Sequence, residues 1–245
     1  MISVNKFRKL AVLLSFVQFT SLFATAGSKK PVAANVIDSG TFVVYSKGKR
    51  IASEKFEIAK TADSSVVKSE LRIEEPKAEQ KAEMQLTTTG NLIRYEWSEG
   101  GKGTAVVEPK DEFLVEHVNL TEGSKSAEQP FILPASTMIM DDGFFSHREL
   151  LLWRYLATQC QPKQGQQGCQ LASQQYGVIV PRQQTSVQIT VEYKGSQKLN
   201  IRGADMDLQR FELNGEGFNW TVWIDATYKI QKIAIDAENT EIVRE

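Results

Sequence analysis

The clearest pattern along the chain is a period of two. Val187, Ile189, Val191 and Tyr193 alternate with Ser186, Gln188, Thr190 and Glu192, as a strand with one dry and one wet face requires. Val67, Leu71 and Ile73 alternate in the same way with Lys68, Glu70, Arg72 and Glu74. Around these two, β-branched and aromatic runs separated by turn signals predict further strands. In the first half they are Thr41–Tyr45, Ile51–Ile58, Met84–Thr88, Leu92–Trp97, Thr104–Val107, Glu112–Asn119 and a short piece at Phe131–Leu133. The charged stretch Glu74–Glu83, interrupted by Pro76, reads as a solvated loop or a short helical excursion. In the second half Lys194-Gly195-Ser196-Gln197 reads as a turn before Lys198–Arg202, and Met206–Leu213, Phe218–Ile224, Tyr228–Ile235 and Thr240–Arg244 follow.

One segment breaks the strand rhythm. Over Phe144–Thr158, Leu151, Leu152, Tyr155 and Leu156 recur at helical spacing, and Phe144, Phe145 and Trp153 widen the apolar surface. Asp142 or Ser146 stands where a cap is expected. A helix that is apolar on more than one side has to be buried. The expected fold class is therefore α+β and β-dominated: a large curved antiparallel sheet, half-barrel-like, packed on one main helix at about 144–158.

The start of the chain has a different character. Lys6, Arg8 and Lys9 precede an apolar run from Leu10 to Phe23, and Ala24-Thr25-Ala26 ends it. This is the layout of a secretory signal peptide, with cleavage expected between Ala26 and Gly27. The competing reading is an uncleaved anchor, but Ser15, Gln18, Thr20 and Ser21 dilute a run that would need roughly 20 apolar residues to span a bilayer. The organisation expected is a signal peptide at 1–26, a flexible leader at 27–36, and a single β-rich domain at 37–245. The domain carries a Gln-rich insert at 159–175 that contains Cys160 and Cys169. In an oxidising compartment that pair is expected as a disulfide, with free thiols as the alternative. No segment after the cleavage site is apolar enough to span a membrane. The location implied is the periplasm or the outside of the cell.

Removing residues 1–26 leaves 26 Lys and Arg against 30 Asp and Glu, a net charge of −4. Such a surface has no general attraction for nucleic acid, which is held by clustered basic residues. No metal or cofactor is implied either. Two cysteines without CxxC spacing do not make a zinc site, and His117 and His147 have no third ligand or base partner that spacing can name. Asp141-Asp142 reads first as a helix-start pair and second as an acid–base or cation site. No Ser lies in a Gly-x-Ser-x-Gly setting, and Gly100-Gly101-Lys102-Gly103 lacks phosphate-loop spacing. The sequence does not indicate an enzyme. Asn119-Leu120-Thr121 and Asn219-Trp220-Thr221 match the glycosylation sequon and are read as chance matches.

Two patches carry a resemblance. Gly40-Thr41-Phe42-Val43-Val44-Tyr45-Ser46-Lys47-Gly48-Lys49-Arg50-Ile51, with Glu54, Phe56 and Ile58, resembles the opening hairpin of uncharacterised exported bacterial proteins. Trp223-Ile224-Asp225 and Lys229-Ile230-Gln231-Lys232-Ile233 resemble their closing hairpin. Those families have a fold similar to that of the periplasmic lipoprotein carriers, in which a large antiparallel sheet wraps a helix. The resemblance spans about Gly40 to Arg244 and brings no catalytic residues with it. The Gln-rich insert departs from the pattern.

The function expected from these readings is non-catalytic: binding or carrying an apolar ligand, such as a lipid, in the cell envelope. The contact residues expected are Phe144, Phe145, Leu152, Trp153 and Tyr155 on the helix, with Trp97 and Trp223 from the sheet. The alternative is an envelope interaction or assembly module with a protein partner, and an enzyme is the third choice.

Overall fold

The structure is a computed structural model that describes residues 34–100, 103–119, 127–160 and 168–245. The expected signal peptide, most of the expected leader and the middle of the Gln-rich insert lie outside the described residues. All fifteen strands belong to one sheet. Eight come from the first half of the chain: β1 (Asn35–Ser46), β2 (Lys49–Lys60), β3 (Ser64–Ile73), β4 (Ala78–Thr87), β5 (Leu92–Glu99), β6 (Gly103–Lys110), β7 (Phe113–Asn119) and β8 (Ala127–Phe131). A two-residue strand β9 (Met138–Ile139) precedes the helix α1 (Ser146–Gln159). The rest follow it: β10 (Gln174–Val180), β11 (Thr185–Ile201), β12 (Ala204–Gly215), β13 (Phe218–Ile224), β14 (Ile230–Ile235) and β15 (Thr240–Arg244).

The topology is two meanders joined at their starting and finishing strands. β1 to β8 run outward one way, β15 back to β10 run outward the other way, and β1 pairs with β15 at the join. Every pairing is antiparallel except the short parallel contact of β9 with β10. Neighbouring strands linked by tight turns explain the order, since each hairpin pays little loop-closure entropy.

Alternation sorts the side chains onto two faces. One face carries a single large apolar cluster that joins sheet and helix. Phe42, Phe56, Val67, Met84, Tyr95 and Val107 belong to it from the first meander, and Val191, Phe211, Val222 and Ile233 from the second. Leu151, Leu152 and Tyr155 bring α1 into the same cluster, and Phe144 joins it just ahead of the helix. A small second cluster of Ile201, Leu208, Trp223 and Ala234 lies apart from it.

Four expectations need adjusting. Residues 78–83 are strand, not loop. Gln80 and Ala82 face inward there, and outward Lys81 and Glu83 sit opposite Glu70 and Lys68. Lys194–Gln197 does not reverse the chain. It is a bulge inside the long β11, where Tyr193 pairs with Phe211 but Ser196 pairs with Gln209, and Gly195 (φ 98°) takes up the extra residue. β9 and β10 are further strands beyond those expected, while β1 begins at Asn35, inside the expected leader. Neither Asp142 nor Ser146 caps the helix by its side chain. Phe145 is the N-cap residue, and the capping groups come from another strand.

Candidate functional site

The first turn of α1 is unusual. Ser146, His147, Arg148 and Glu149 are consecutive, polar, and all buried. Successive helical residues point about 100° apart, so each of the four meets a different neighbour. Burying such groups is costly unless each finds a partner, and the partners define the site.

Ser146 faces β2 and β3. Glu54 Oε2 accepts the Phe145 and Ser146 amides at 2.5 and 3.2 Å, and Ser146 Oγ donates to Glu54 Oε1 at 2.6 Å. Ser69 Oγ lies 2.9 Å from Ser146 Oγ. A carboxylate 91 residues upstream thus satisfies amides that the helix start leaves without partners. Burial pushes the Glu54 carboxyl up, and the hydrogen bonds from Ser146, Ser69 and the two amides offset this only in part.

His147 and Asp141 form the next group. His147 Nδ1 accepts the Asp141 amide at 3.2 Å, which leaves the other ring nitrogen to carry the proton. Burial, then the charges of Arg148 and Arg182, hold the imidazole well below its ordinary range, so it is neutral. The Asp141 side chain is a hub. It accepts the Tyr95 hydroxyl at 2.6 Å, Arg182 Nε at 2.9 Å and the Asp142 amide at 2.9 Å. Arg182 also reaches Gln80 Oε1 at 2.8 Å. Gly143 makes room for this turn: its φ is +79°, and a Cβ there would come within 2.7 Å of Leu71.

Glu149 points toward the join of the two meanders. Its Oε2 accepts the Ile230 amide at 3.0 Å and Arg244 Nη1 at 3.1 Å. Arg244 Nη2 in turn holds both oxygens of buried Asp38, at 2.6 and 2.7 Å, and Lys229 Nζ adds a 2.7 Å contact. Burial and then the neighbouring Asp38 push Glu149 up to about 9. Burial also works against the Asp38 anion, but the hydrogen bonds from Glu149, Arg244 and Lys229 outweigh it and hold the carboxyl down at about 2.

Three buried charged residues carry side-chain atoms without a hydrogen-bond partner: Glu149 at Oε1, and Glu116 and Arg148 at two atoms each. Both carboxyl oxygens of Glu116, on the inner face of β7, lack a hydrogen-bond partner. Burial first, and the charge of Asp141 second, push it up to about 8, so it is protonated at neutral pH. Arg148 donates from Nη1 to the Asp141 and Phe144 carbonyls at 2.5 and 2.7 Å, while its Nε and Nη2 have no acceptor. Burial lowers it to about 10, which still leaves it charged at neutral pH.

Arg148 lines a pocket of about 440 Å³ at the start of the helix. Its walls include Val44, Ile51, Phe145, Val187, Phe218 and Trp220, and Asp142, Glu216 and Glu238 are also among its lining residues. A larger concavity of about 730 Å³ lies on the opposite, solvent-facing side of the first meander. It is lined by residues such as Lys55, Glu57, Lys68, Glu70, Lys81 and Glu83. These charges pair among themselves, Lys68 with Glu83 and Lys81 with Glu70, each at 3.7 Å. That groove is a solvated strand face. The smaller pocket is the candidate site, because apolar walls and a desolvated charge converge there.

Six of the seven contact residues expected from the sequence lie in or against the main apolar cluster, and Trp223 lies apart from it. Trp97, Phe144, Phe145, Leu152 and Tyr155 are all buried in the main cluster. Of these only Phe145 lines the pocket at the helix start. Trp153 is half-buried, and its Nε1 donates to the Tyr228 carbonyl at 2.7 Å. Trp223 lies in the separate small cluster and bonds Gln197 at 2.9 Å. His117 is on the outward side of β7, 4.0 Å from Glu108, away from buried His147. The Cys160–Cys169 disulfide is formed. Arg148, Glu54, Glu116, Glu149 and Asp38 were not anticipated. The one signal for the helix residues among them was a polar quartet, Ser146–Glu149, heading an otherwise apolar helix. No group of His, Cys, Asp and Glu that could hold a metal occurs among the described residues. No described helix is long and apolar enough to cross a membrane. No protein-family model, curated protein or solved structure matches the chain.

Proposed function

We propose that this is an exported, non-catalytic protein that binds or carries an apolar ligand, a lipid being the leading class, in the pocket at the start of α1. The observation that carries this reading is the pocket itself. At about 440 Å³ it falls within the range of small-molecule sites, and aliphatic and aromatic side chains form much of its wall. Burial of ligand surface would drive binding at about 25 cal/mol per Å², before ordering costs.

A half-barrel-like sheet is part of the proposal, and two observations support it. Fourteen inter-strand steps of about 4.8 Å would set the edges of a flat fifteen-stranded sheet about 65 Å apart. Only residues 132–137 connect edge strand β8 to edge strand β9, a reach of about 25 Å at full extension. Gln129 Nε2, on β8, also donates to the Gln184 carbonyl between β10 and β11 at 3.1 Å. Export rests on the layout of residues 1–26, and the Cys160–Cys169 bridge accords with an oxidising compartment.

The test is native mass spectrometry of the protein purified from an oxidising periplasm, with organic extraction of what is bound. A discrete lipid-sized adduct, weakened by the wall-filling substitution Val187→Trp, is the expected result. A clean unliganded mass, with no uptake of added fatty acid or phospholipid, would contradict the proposal and turn attention to a protein partner.

A further inference from the structure

The unused hydrogen-bonding capacity of Arg148 says what kind of apolar ligand the pocket takes. We infer that the pocket selects an amphiphile whose headgroup is a two-oxygen anion, a carboxylate or a phosphate, gripped by the Nε–Nη2 edge of Arg148. The inference rests on the binding reading above and goes on to name the ligand class.

A guanidinium presents Nε–H and Nη2–H side by side along one edge, the fork that matches two oxygens of a carboxylate or phosphate. In Arg148 the two nitrogens without acceptors are these two, while Nη1 is occupied by the Asp141 and Phe144 carbonyls. The carbonyl bonds hold the fork in place, so little side-chain entropy is lost on binding. Trp220 lies over the guanidinium at 4.3 Å from its ring centre. The attraction between ring face and cation adds to what holds the guanidinium in place, and a headgroup reaches the covered Nε–Nη2 edge by displacing the side chains packed around it. Both side chains line the same pocket. Asp142 Oδ1 lies 4.0 Å from Nη2, beyond hydrogen-bond reach, and does not satisfy it.

The other charges of the pocket do not favour a cation instead. Glu216 and Glu238 are exposed and Asp142 is half-exposed, so water and salt screen them. Arg148 is wholly buried, and a charge in such a setting acts far more strongly on a ligand placed against it. An anion there also relieves the cost of leaving two buried donors unmade.

The experiment is calorimetric titration of the full protein, below micelle-forming concentrations, with dodecanoate, dodecyl phosphate, dodecanol and dodecyltrimethylammonium. Dodecanoate or dodecyl phosphate is expected to bind at least about tenfold tighter than dodecanol, and the tighter of the two identifies the headgroup. Arg148→Met is expected to erase the preference, and Arg148→Lys, which keeps the charge but loses the fork, to reduce it. Val187→Trp leaves Arg148 in place and is expected to weaken all chains alike. Should Arg148→Met fail to fold, Arg148→Lys and the ligand series on the unaltered protein still decide the matter. Dodecanol binding as tightly as both dodecanoate and dodecyl phosphate would overturn the headgroup inference while leaving the apolar pocket standing. So would a preference for the ammonium, or an anion preference that survives both Arg148 substitutions. Binding of none of the four would overturn the pocket reading as well.

Discussion

The two meanders build the same sheet with different interiors. The second, β10 to β15, buries an almost wholly apolar set that includes Val178, Ile189, Val191, Phe211, Leu213, Val222, Ile224, Ile233 and Ile242, with Thr221 and Thr240 as its buried polar residues. The first, β1 to β8, buries Asp38, Ser53, Glu54, Ser69, Gln80 and Glu116 among its apolar residues. The helix lies between them with its polar first turn toward the polar strands. The apolar half provides the non-directional driving force for folding. The polar half orients the helix start, because hydrogen bonds such as those of Glu54 and Asp141 form in one register only. Arg148 stands where the two regimes meet, buried, anchored through Nη1 and without an acceptor at Nε and Nη2.

The difference can be broken from either side. The largest effect is expected in the apolar half. Phe211 is fully buried and meets Tyr155 and Tyr193 at ring-centre distances of 5.8 and 5.3 Å. Phe211→Ala should cost about 3–5 kcal/mol in urea unfolding. In the polar half, Glu54→Ala strands the Phe145 and Ser146 amides and the Ser146 hydroxyl. It should cost about 3 kcal/mol, with Glu54→Gln milder because it keeps an acceptor. Replacing Cys160 and Cys169 by Ser opens a loop spanning nine residues of sequence separation. The loss should be about 2–3 kcal/mol by chain entropy, measured as the shift in urea midpoint against the oxidised protein.

The smallest expected effect has the opposite sign. Glu116 is pushed up to about 8, above its unfolded value, so the folded chain holds the proton more tightly. The stability tied to this group is complete below the unfolded carboxylate range and is lost as pH rises toward about 8. Glu116→Gln removes that loss. It should be more stable than the unaltered protein by about 1–2 kcal/mol at pH 8, with little difference at pH 4. Paired unfolding curves across that range check it. A substitution that destabilises at pH 8 would mean that the Glu116 carboxylate has a partner after all.

Much of the fold was legible in the sequence, and the reasons differ by region. The helix was expected at Phe144–Thr158 and lies at Ser146–Gln159, because its apolar spacing is strong. The strands of the second half were legible from alternation at Val187–Tyr193, whose inward residues are apolar. Ala78–Glu83 was misread because its inward residues, Gln80 and Ala82, are not strong apolar markers. Its strand character comes from pairing with β3, a tertiary effect. The bulge at Tyr193–Ser196 was misread as a turn because Gly195 signals either. The candidate site was barely legible. Glu54 and Glu116 sit in alternating strands where a charged residue normally faces water, and only tertiary packing makes their position interior, for Glu54 the start of the helix. Trp223 was grouped with the helix aromatics because residue type does not tell which face of a strand a side chain takes.

The most direct test of the account is a crystal structure of the protein with dodecanoate bound. Both carboxylate oxygens are expected within hydrogen-bond distance of Arg148 Nε and Nη2, with the chain against Val187 and Phe218. Dodecanoate lying elsewhere, such as along the lysines of the outer groove, with the Arg148 fork still empty, would contradict it.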